Sequence, residues 1–289
     1  MTLRTIVAVP LLLLVAACAP VDQEGPGDTA ADPTPTTADQ CATDQLPLLK
    51  AGTLTIGTDS PAFSPWFKGN DPTNGRGYES AVAYAVAEEL GFSDGDVSWV
   101  TVPFNTSYKP GVKDFDFDIN QISITSARAE VVDFSDGYYE AAQAVIALEE
   151  RPIAGATSVA ELADYNLGAQ TGTTSLTAIR DVIQPANDPA VFEDTSAAKQ
   201  ALLNGQVDGI LADLPTAFYI TAVEIPQATL IGQFQPDVGQ QEEFGMLFEK
   251  GSELVPCVNE ALATLRDDGT LDQIEQEWLS DVVDVPELQ

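Results

Sequence analysis

The sequence predicts an α/β fold in two lobes, and three observations carry that expectation. Apolar strands and amphipathic helices alternate along most of the chain, the rhythm of βαβ sheets. The portion with globular composition is about 245 residues long, enough for two compact bodies. The last two helices follow a single short strand and need a sheet built earlier in the chain to pack on.

The chain begins with one basic residue, Arg4, and an apolar run from Ile6 to Val15. A spanning helix needs about 20 apolar residues, so this run is too short to cross a bilayer. A charged start, an apolar stretch and small residues describe a secretory signal over residues 1–17. The small residues end in Val15-Ala16-Ala17-Cys18, which resembles a bacterial lipobox. That resemblance implies cleavage before Cys18 and acylation of its thiol, and several acyl chains anchor a protein firmly where one does so only marginally. The alternative is an ordinary signal with a chance cysteine, though the chain has three cysteines in all. Residues 18–45 are expected to form a lipidated flexible tether. Their Pro, Thr, Asp and Ala content buries too little apolar surface to offset chain entropy.

Cys41 and Cys257 remain once Cys18 carries lipid. An exported protein sits where disulfides persist, and an even remainder invites a pair. Two free buried thiols are the alternative.

Within the body, Leu54–Thr58 reads as a strand ending in a Gly/Asp/Ser/Pro turn. Ser80–Leu90 is a helix with Val82, Val86 and Leu90 on its apolar face and Gly91 past its end. Strands are expected at Val97–Val102, within Phe115–Ile124, and at Val131–Phe134. A second block opens with a strand at Ala144–Leu148. Ser158-Val159-Ala160-Glu161 has the spacing of a capping box and starts a short helix. Strands at Leu167–Ala169, Ala190–Phe192 and Val207–Leu211 alternate with helices at Thr174–Ile183, Ser196–Leu203 and Leu214–Thr221. Gly245–Phe248 is a last strand. Ser252 then caps a helix with Val255, Val258, Leu262 and Leu265 on one face, stopped by Gly269. The final helix covers Leu271–Leu279.

The charge balance excludes several function classes. There are 12 Lys+Arg against 45 Asp+Glu, a net charge of −33, and no histidine. Nucleic acid is not an expected partner, because its binding rests on basic side chains. Serine–histidine triads and histidine metal sites are excluded, and no metal is expected. Neither a P-loop nor a GxGxxG fingerprint occurs, so no cofactor is expected.

Several segments together resemble the polar amino-acid branch of the bacterial extracellular solute-binding proteins, family 3. They are Gly57-Thr58-Asp59 with Pro65-Trp66, Gly77-Tyr78-Glu79, Ile122-Ser123-Ile124-Thr125-Ser126-Ala127-Arg128, and Val132-Asp133-Phe134-Ser135-Asp136-Gly137-Tyr138-Tyr139. Gly172-Thr173-Thr174, Val207 to Asp213, Phe244-Gly245-Met246-Leu247-Phe248 and Leu265 to Thr270 with Trp278 complete the set. The resemblance implies a two-lobed periplasmic-binding-protein-like fold of type II, hinged on two crossing strands. Lobe one would comprise 46–140 plus 243–289, and lobe two 141–242. It also implies a monomeric, non-catalytic protein on the outer face of the cytoplasmic membrane. That protein would close on a free amino acid and deliver it to the permease and ATPase subunits of an ABC importer.

Arg128 is the first candidate for the ligand carboxylate, because a planar guanidinium matches two carboxylate oxygens, with a surface arginine at a loop as the alternative. Thr173 and Thr174 open a helix after Gly172, where free backbone N–H groups favour an anion. Helix capping is the plain alternative for both. Ser123 would donate its hydroxyl to the same carboxylate, or meet the ammonium through its backbone carbonyl. Asp213, at the end of an apolar strand, is the candidate for the ammonium, with helix N-capping as its alternative role. Asp59 would meet the ligand side chain, or merely shape an Asx-turn. Phe63, Trp66 and Phe104 fall where relatives sandwich the aliphatic part, though aromatics equally serve cores.

Three places depart from the family pattern. Ala81 stands where a second acid is common, and Ser126-Ala127 replaces a frequent Pro-Glu. Asn120-Gln121 replaces small apolar residues, so Gln121 would reach the side-chain pocket or bond within the cleft wall. Asp59 favours a polar amide or a cationic amino acid. The rival readings are a dehydratase on the same fold, which would need a general acid or base in the cleft, and a ligand-sensing module.

Overall fold

A computed structural model of the chain describes residues 41–236, 241–279 and 285–289. The expected signal peptide, Cys18 and the tether up to residue 40 lie outside the described residues. Among the described residues, no helix is long and apolar enough to cross a membrane.

The first lobe is built on a five-stranded sheet in the order β2-β1-β3-β12-β4. Strand β1 (Leu54–Thr58) lies parallel to β2 (Val97–Thr101) and to the two-residue β3 (Phe117–Asp118). The late strand β12 (Leu247–Phe248) inserts antiparallel between β3 and β4 (Asp133–Phe134). Helix α1 (Tyr78–Glu89) starts after Gly77, whose φ is +99°. A Cβ there would lie 2.5 Å from the Trp66 carbonyl oxygen, so only glycine permits this approach. Short helices α2 (Phe104–Ser107) and α3 (Ser126–Ala129) sit at the cleft edge of this sheet.

The second lobe carries a five-stranded sheet in the order β10-β6-β9-β7-β8. Its members are β6 (Gln143–Leu148), β7 (Leu167–Gln170), β8 (Ala190–Phe192), β9 (Gly209–Asp213) and β10 (Ala228–Phe234). Helices α4 (Thr174–Ala178), α5 (Thr195–Leu203) and α6 (Leu214–Tyr219) connect them. Strands β5 (Tyr139–Ala141) and β11 (Glu242–Phe244) pair antiparallel between the two sheets, Phe244 opposite Tyr139. They are the two crossing strands of the hinge.

The last helices, α7 (Val255–Asp267) and α8 (Thr270–Leu279), return to the first sheet as the sequence requires. Val258, Leu262 and Leu265 are buried in one core with Leu54, Ile56, Val82 and Val86. A disulfide joins Cys41 to Cys257 in α7 and closes a loop with a sequence separation of 216. In the loop-entropy account such a closure stabilises the fold by about 5 kcal/mol.

Several local expectations differ from the structure. Ser252 does not cap α7, because Leu254 holds the N-cap position and Ser252 Oγ accepts from its backbone N–H. The strand foreseen within Phe115–Ile124 pairs only at Phe117–Asp118, and residues after it leave the ladder to line the cleft. The strand expected at Val207–Leu211 lies at Gly209–Asp213, two residues later. The capping-box helix is a 3₁₀ turn, Ala160–Asp164, with Glu161 accepting from the backbone N–H of Thr157. The last five residues, expected with lobe one, lie against lobe two. Gln233 N–H donates to the Pro286 carbonyl and the Gln233 carbonyl accepts from Leu288 N–H, both at 2.8 Å, and Leu288 is buried in the second core.

Candidate functional site

The two lobes meet across a cleft at the carboxyl ends of β1 and β9, where open α/β sheets place ligands. From the first lobe, Asp59, Phe63, Phe104, Asn120, Gln121 and Ser123 line a cavity. From the second, Gln143, Gln170, Thr173, Thr174, Asp213 and Thr216 face them. Eight of the ten expected ligand residues therefore line one cavity. Arg128 and Trp66 do not.

Trp66 is fully buried, because its backbone packs against Gly77 in the first core. Its ring lies edge-on to Tyr78, Tyr139 and Phe244, at centroid distances of 5.8, 5.4 and 5.6 Å. It reaches the site indirectly, Nε1 donating to Thr216 Oγ1 across the cleft at 2.8 Å.

Arg128 sits beneath the cavity wall on α3. Nη1 donates to the Ser123 carbonyl at 2.7 Å and Nη2 to the Gly172 carbonyl at 2.9 Å, so the guanidinium ties one lobe to the other. The rings of Tyr108 and Phe104 lie 4.8 and 5.6 Å from it. Burial lowers its pKa, and the nearby Tyr108 and Glu242 oppose the shift. Gly172 has φ +74°, and a Cβ there would lie 2.2 Å from the Tyr108 hydroxyl.

Asp213 ends β9 and caps α6, accepting from Thr216 N at 3.0 Å. Burial pushes its pKa up to about 6, with the Glu242 charge adding to the rise. Asp59 accepts from Ser60 N at 2.6 Å and Phe104 N at 3.1 Å, so the turn-shaping role is present at a cavity-lining acid. Thr173 caps α4, accepting from Leu176 N at 3.1 Å. Phe63 forms a wall of the cavity, with Lys199 Nζ of the second lobe 5.1 Å from its ring centroid.

A polar layer lies behind this wall, built on two acids, Glu79 and Glu242, to which the sequence reading gave no role. Glu242 on β11 accepts from Ser123 Oγ at 2.6 Å, Thr174 Oγ1 at 2.5 Å and Gln143 Nε2 at 2.8 Å. Glu79, fully buried on α1, accepts from Gln121 N at 2.6 Å, from Gln121 Nε2 and from the Tyr138 hydroxyl. Burial raises the Glu79 pKa to about 7, against the three hydrogen bonds that lower it. Gln143 had a signal, being the polar residue that opens an otherwise apolar strand. Glu242 had none, since it lies in an acid-rich stretch.

Residues 54–281 match the bacterial extracellular solute-binding proteins, family 3. The L-cystine-binding protein TcyJ of Escherichia coli is 28% identical over 233 residues, covering 78% of this chain and 82% of that protein. The ABC transporter glutamine-binding protein GlnH of Bacillus subtilis is 27% identical over 216 residues, covering 73% and 76%. Among solved structures, the arginine-, lysine-, histidine-binding protein ArtJ from Geobacillus stearothermophilus is 27% identical with a TM-score of 0.66, covering 79% of this chain and 95% of that one. An ancestral arginine-binding protein bound to glutamine is 30% identical with the same TM-score, covering 79% and 98%. The fold is thus shared with these solved structures, and the chain belongs to the bacterial extracellular solute-binding proteins of family 3.

Proposed function

We propose that this protein binds a free amino acid between its lobes and delivers it to the permease of an ABC importer. One observation carries the reading: a cavity closed by both lobes, with the ammonium candidate Asp213 in its lining and the cross-lobe Arg128 beneath its wall. Ligand contacts made only in the closed form shift the population toward it, and the closed form is what a permease would recognise. Lobe one is assigned residues 46–140 and 243–279. Lobe two is assigned 141–242, with 285–289 joined to it by their bonds to β10. The protein is read as a monomer held to the outer face of the cytoplasmic membrane by lipid on Cys18. A globomycin-sensitive mobility shift, lost in Cys18→Ala, tests the anchor.

The reading is non-catalytic. An ancestral amino-acid-binding protein described as a precursor of cyclohexadienyl dehydratase is 27% identical with a TM-score of 0.65, which keeps the enzyme rival in view. The carboxylates that line the cavity are Asp59 and Asp213, and each already accepts from backbone N–H groups. That arrangement suits holding better than turnover. A thermal-shift screen against the twenty amino acids tests the function. Stabilisation by one or a few supports it, and stabilisation only by a sugar or a peptide refutes the substrate class.

A further inference from the structure

The geometry points to Glu79 and Glu242 as positioning residues that turn acceptor oxygens into the cleft and thereby select a ligand rich in N–H donors. The inference rests on the amino-acid reading above and concerns the side chain that the cavity admits. An ionised carboxylate can only accept, so every group bonded to Glu242, and to Glu79 above a pH of about 7, must spend a hydrogen there. Gln121 gives both its backbone N–H and its Nε2 hydrogen to Glu79, which leaves Oε1 as the free end of a cavity-lining amide. Its backbone is held at φ +46°, a region that L residues rarely occupy, so the amide is presented from a fixed base. Gln143 repeats the pattern. Its Nε2 donates to Glu242, and its buried Oε1 has no partner among the described residues. The Ser123 and Thr174 hydroxyls, both in the cavity lining, also donate to Glu242, and Thr174 Oγ1 accepts from Gln143 Nε2 at 3.3 Å.

Neither Glu79 nor Glu242 lines the cavity, and among the described residues no lysine or arginine does. Asp59 and Asp213 add two acids to the same wall. One donor, Asn120 Nδ2, is buried without a partner and suits a single acceptor such as the ligand carboxylate. A wall of this polarity leaves buried acceptors unpaired opposite an aliphatic or acidic side chain, which is costly. It matches an amino acid ending in a guanidinium or an ammonium.

Titration calorimetry of the intact protein tests the proposal with L-arginine, L-lysine, L-citrulline, L-leucine and L-glutamate. The wild type is expected to bind arginine or lysine at least about tenfold more tightly than citrulline, leucine or glutamate. Glu242→Gln can donate as well as accept, so Ser123, Thr174 and Gln143 are released to turn. The ratio of arginine to citrulline affinity should then fall about tenfold with the melting temperature retained, and Glu79→Gln should act likewise through Gln121. A wild type that prefers leucine or glutamate overturns the inference and leaves the amino-acid reading standing. An unchanged ratio in a folded Glu242→Gln also overturns it, since a merely structural carboxylate would not set selectivity. A wild type that binds none of the twenty amino acids overturns the reading itself and the inference with it. Should Glu79→Gln fail to fold, the wild-type panel and Glu242→Gln on the half-buried hinge strand decide.

Discussion

Arg128 Nη2 donates to the carbonyl oxygen of Gly172 at 2.9 Å, joining the two lobes through one hydrogen bond. The same guanidinium holds the Ser123 carbonyl through Nη1, so its planar fork spans both sides of the cleft. A lysine ammonium is a point charge and cannot serve both carbonyls in that plane. Arg128→Lys should weaken amino-acid affinity by about tenfold or more, since a charge-assisted bond contributes about 1.5–3 kcal/mol. Calorimetry with a parallel melting curve checks it, and unchanged affinity removes Arg128 from the closing machinery.

Gly172 offers a second way to block closure. A methyl group there would run into the Tyr108 hydroxyl of the opposite lobe, and φ +74° strains any L residue. Gly172→Ala should cost roughly 1 kcal/mol or more of stability through the backbone. Its larger effect should be on binding, with affinity lost while the melting temperature falls by only a few degrees. Small-angle scattering would find the variant open in the presence of ligand. A variant that still compacts with ligand contradicts the role given to this contact.

Asp213 makes binding pH-dependent, and the sign follows from its raised pKa. Near pH 6 burial leaves the unliganded carboxyl about half protonated. A ligand ammonium favours the ionised form, so below pH 6 binding must expel a proton. Affinity should fall by up to about tenfold per pH unit below 6. Calorimetry in buffers of different ionisation heat should detect the released proton. A flat profile through pH 6 with no proton release excludes Asp213 as the ammonium partner.

The Cys41–Cys257 bond pins the first described residue to α7. Replacing both cysteines by serine should lower the melting temperature by on the order of 10 °C, from about 5 kcal/mol of loop entropy. Ligand affinity should not change, because the bond lies in the first core, away from the cleft. Equal melting of the two forms would show that the unfolded chain is not held apart by this link.

Much of the architecture was legible because it rests on patterns that the chain cannot hide. The 3.6-residue spacing of Val255, Val258, Leu262 and Leu265, followed by Gly269, located α7 within one turn of its bounds. Strand β10 was missed, as Gly232 and a bulge between Leu230 and Gly232 interrupt its alternation. Eight of the expected ligand residues gather in one cavity because loops at strand ends are where this fold places ligands. Trp66 was misjudged because an aromatic beside a turn looks the same whether it faces a ligand or a core. Only the close approach at Gly77 decides which. Glu79 and Glu242 were given no role for a different reason, although Glu79 stands in the Gly77-Tyr78-Glu79 motif. Their importance lies in whom they bond, and their partners sit 42 to 119 positions away in sequence.

The indole of Trp66 has a consequence for how this molecule can be watched. Its only described hydrogen-bond partner, Thr216 Oγ1, belongs to the other lobe, while its ring stays sealed in the first. Separating the lobes would strip the N–H of that partner and hydrate it, and closing them would restore a dry, bonded chromophore. Emission from Trp66 should therefore shift to the red on opening and to the blue on ligand addition. Replacing Trp99 and Trp278 by phenylalanine would isolate that signal. The protein carries its own optical gauge of domain closure, and stopped-flow emission would read the closing rate without any added dye.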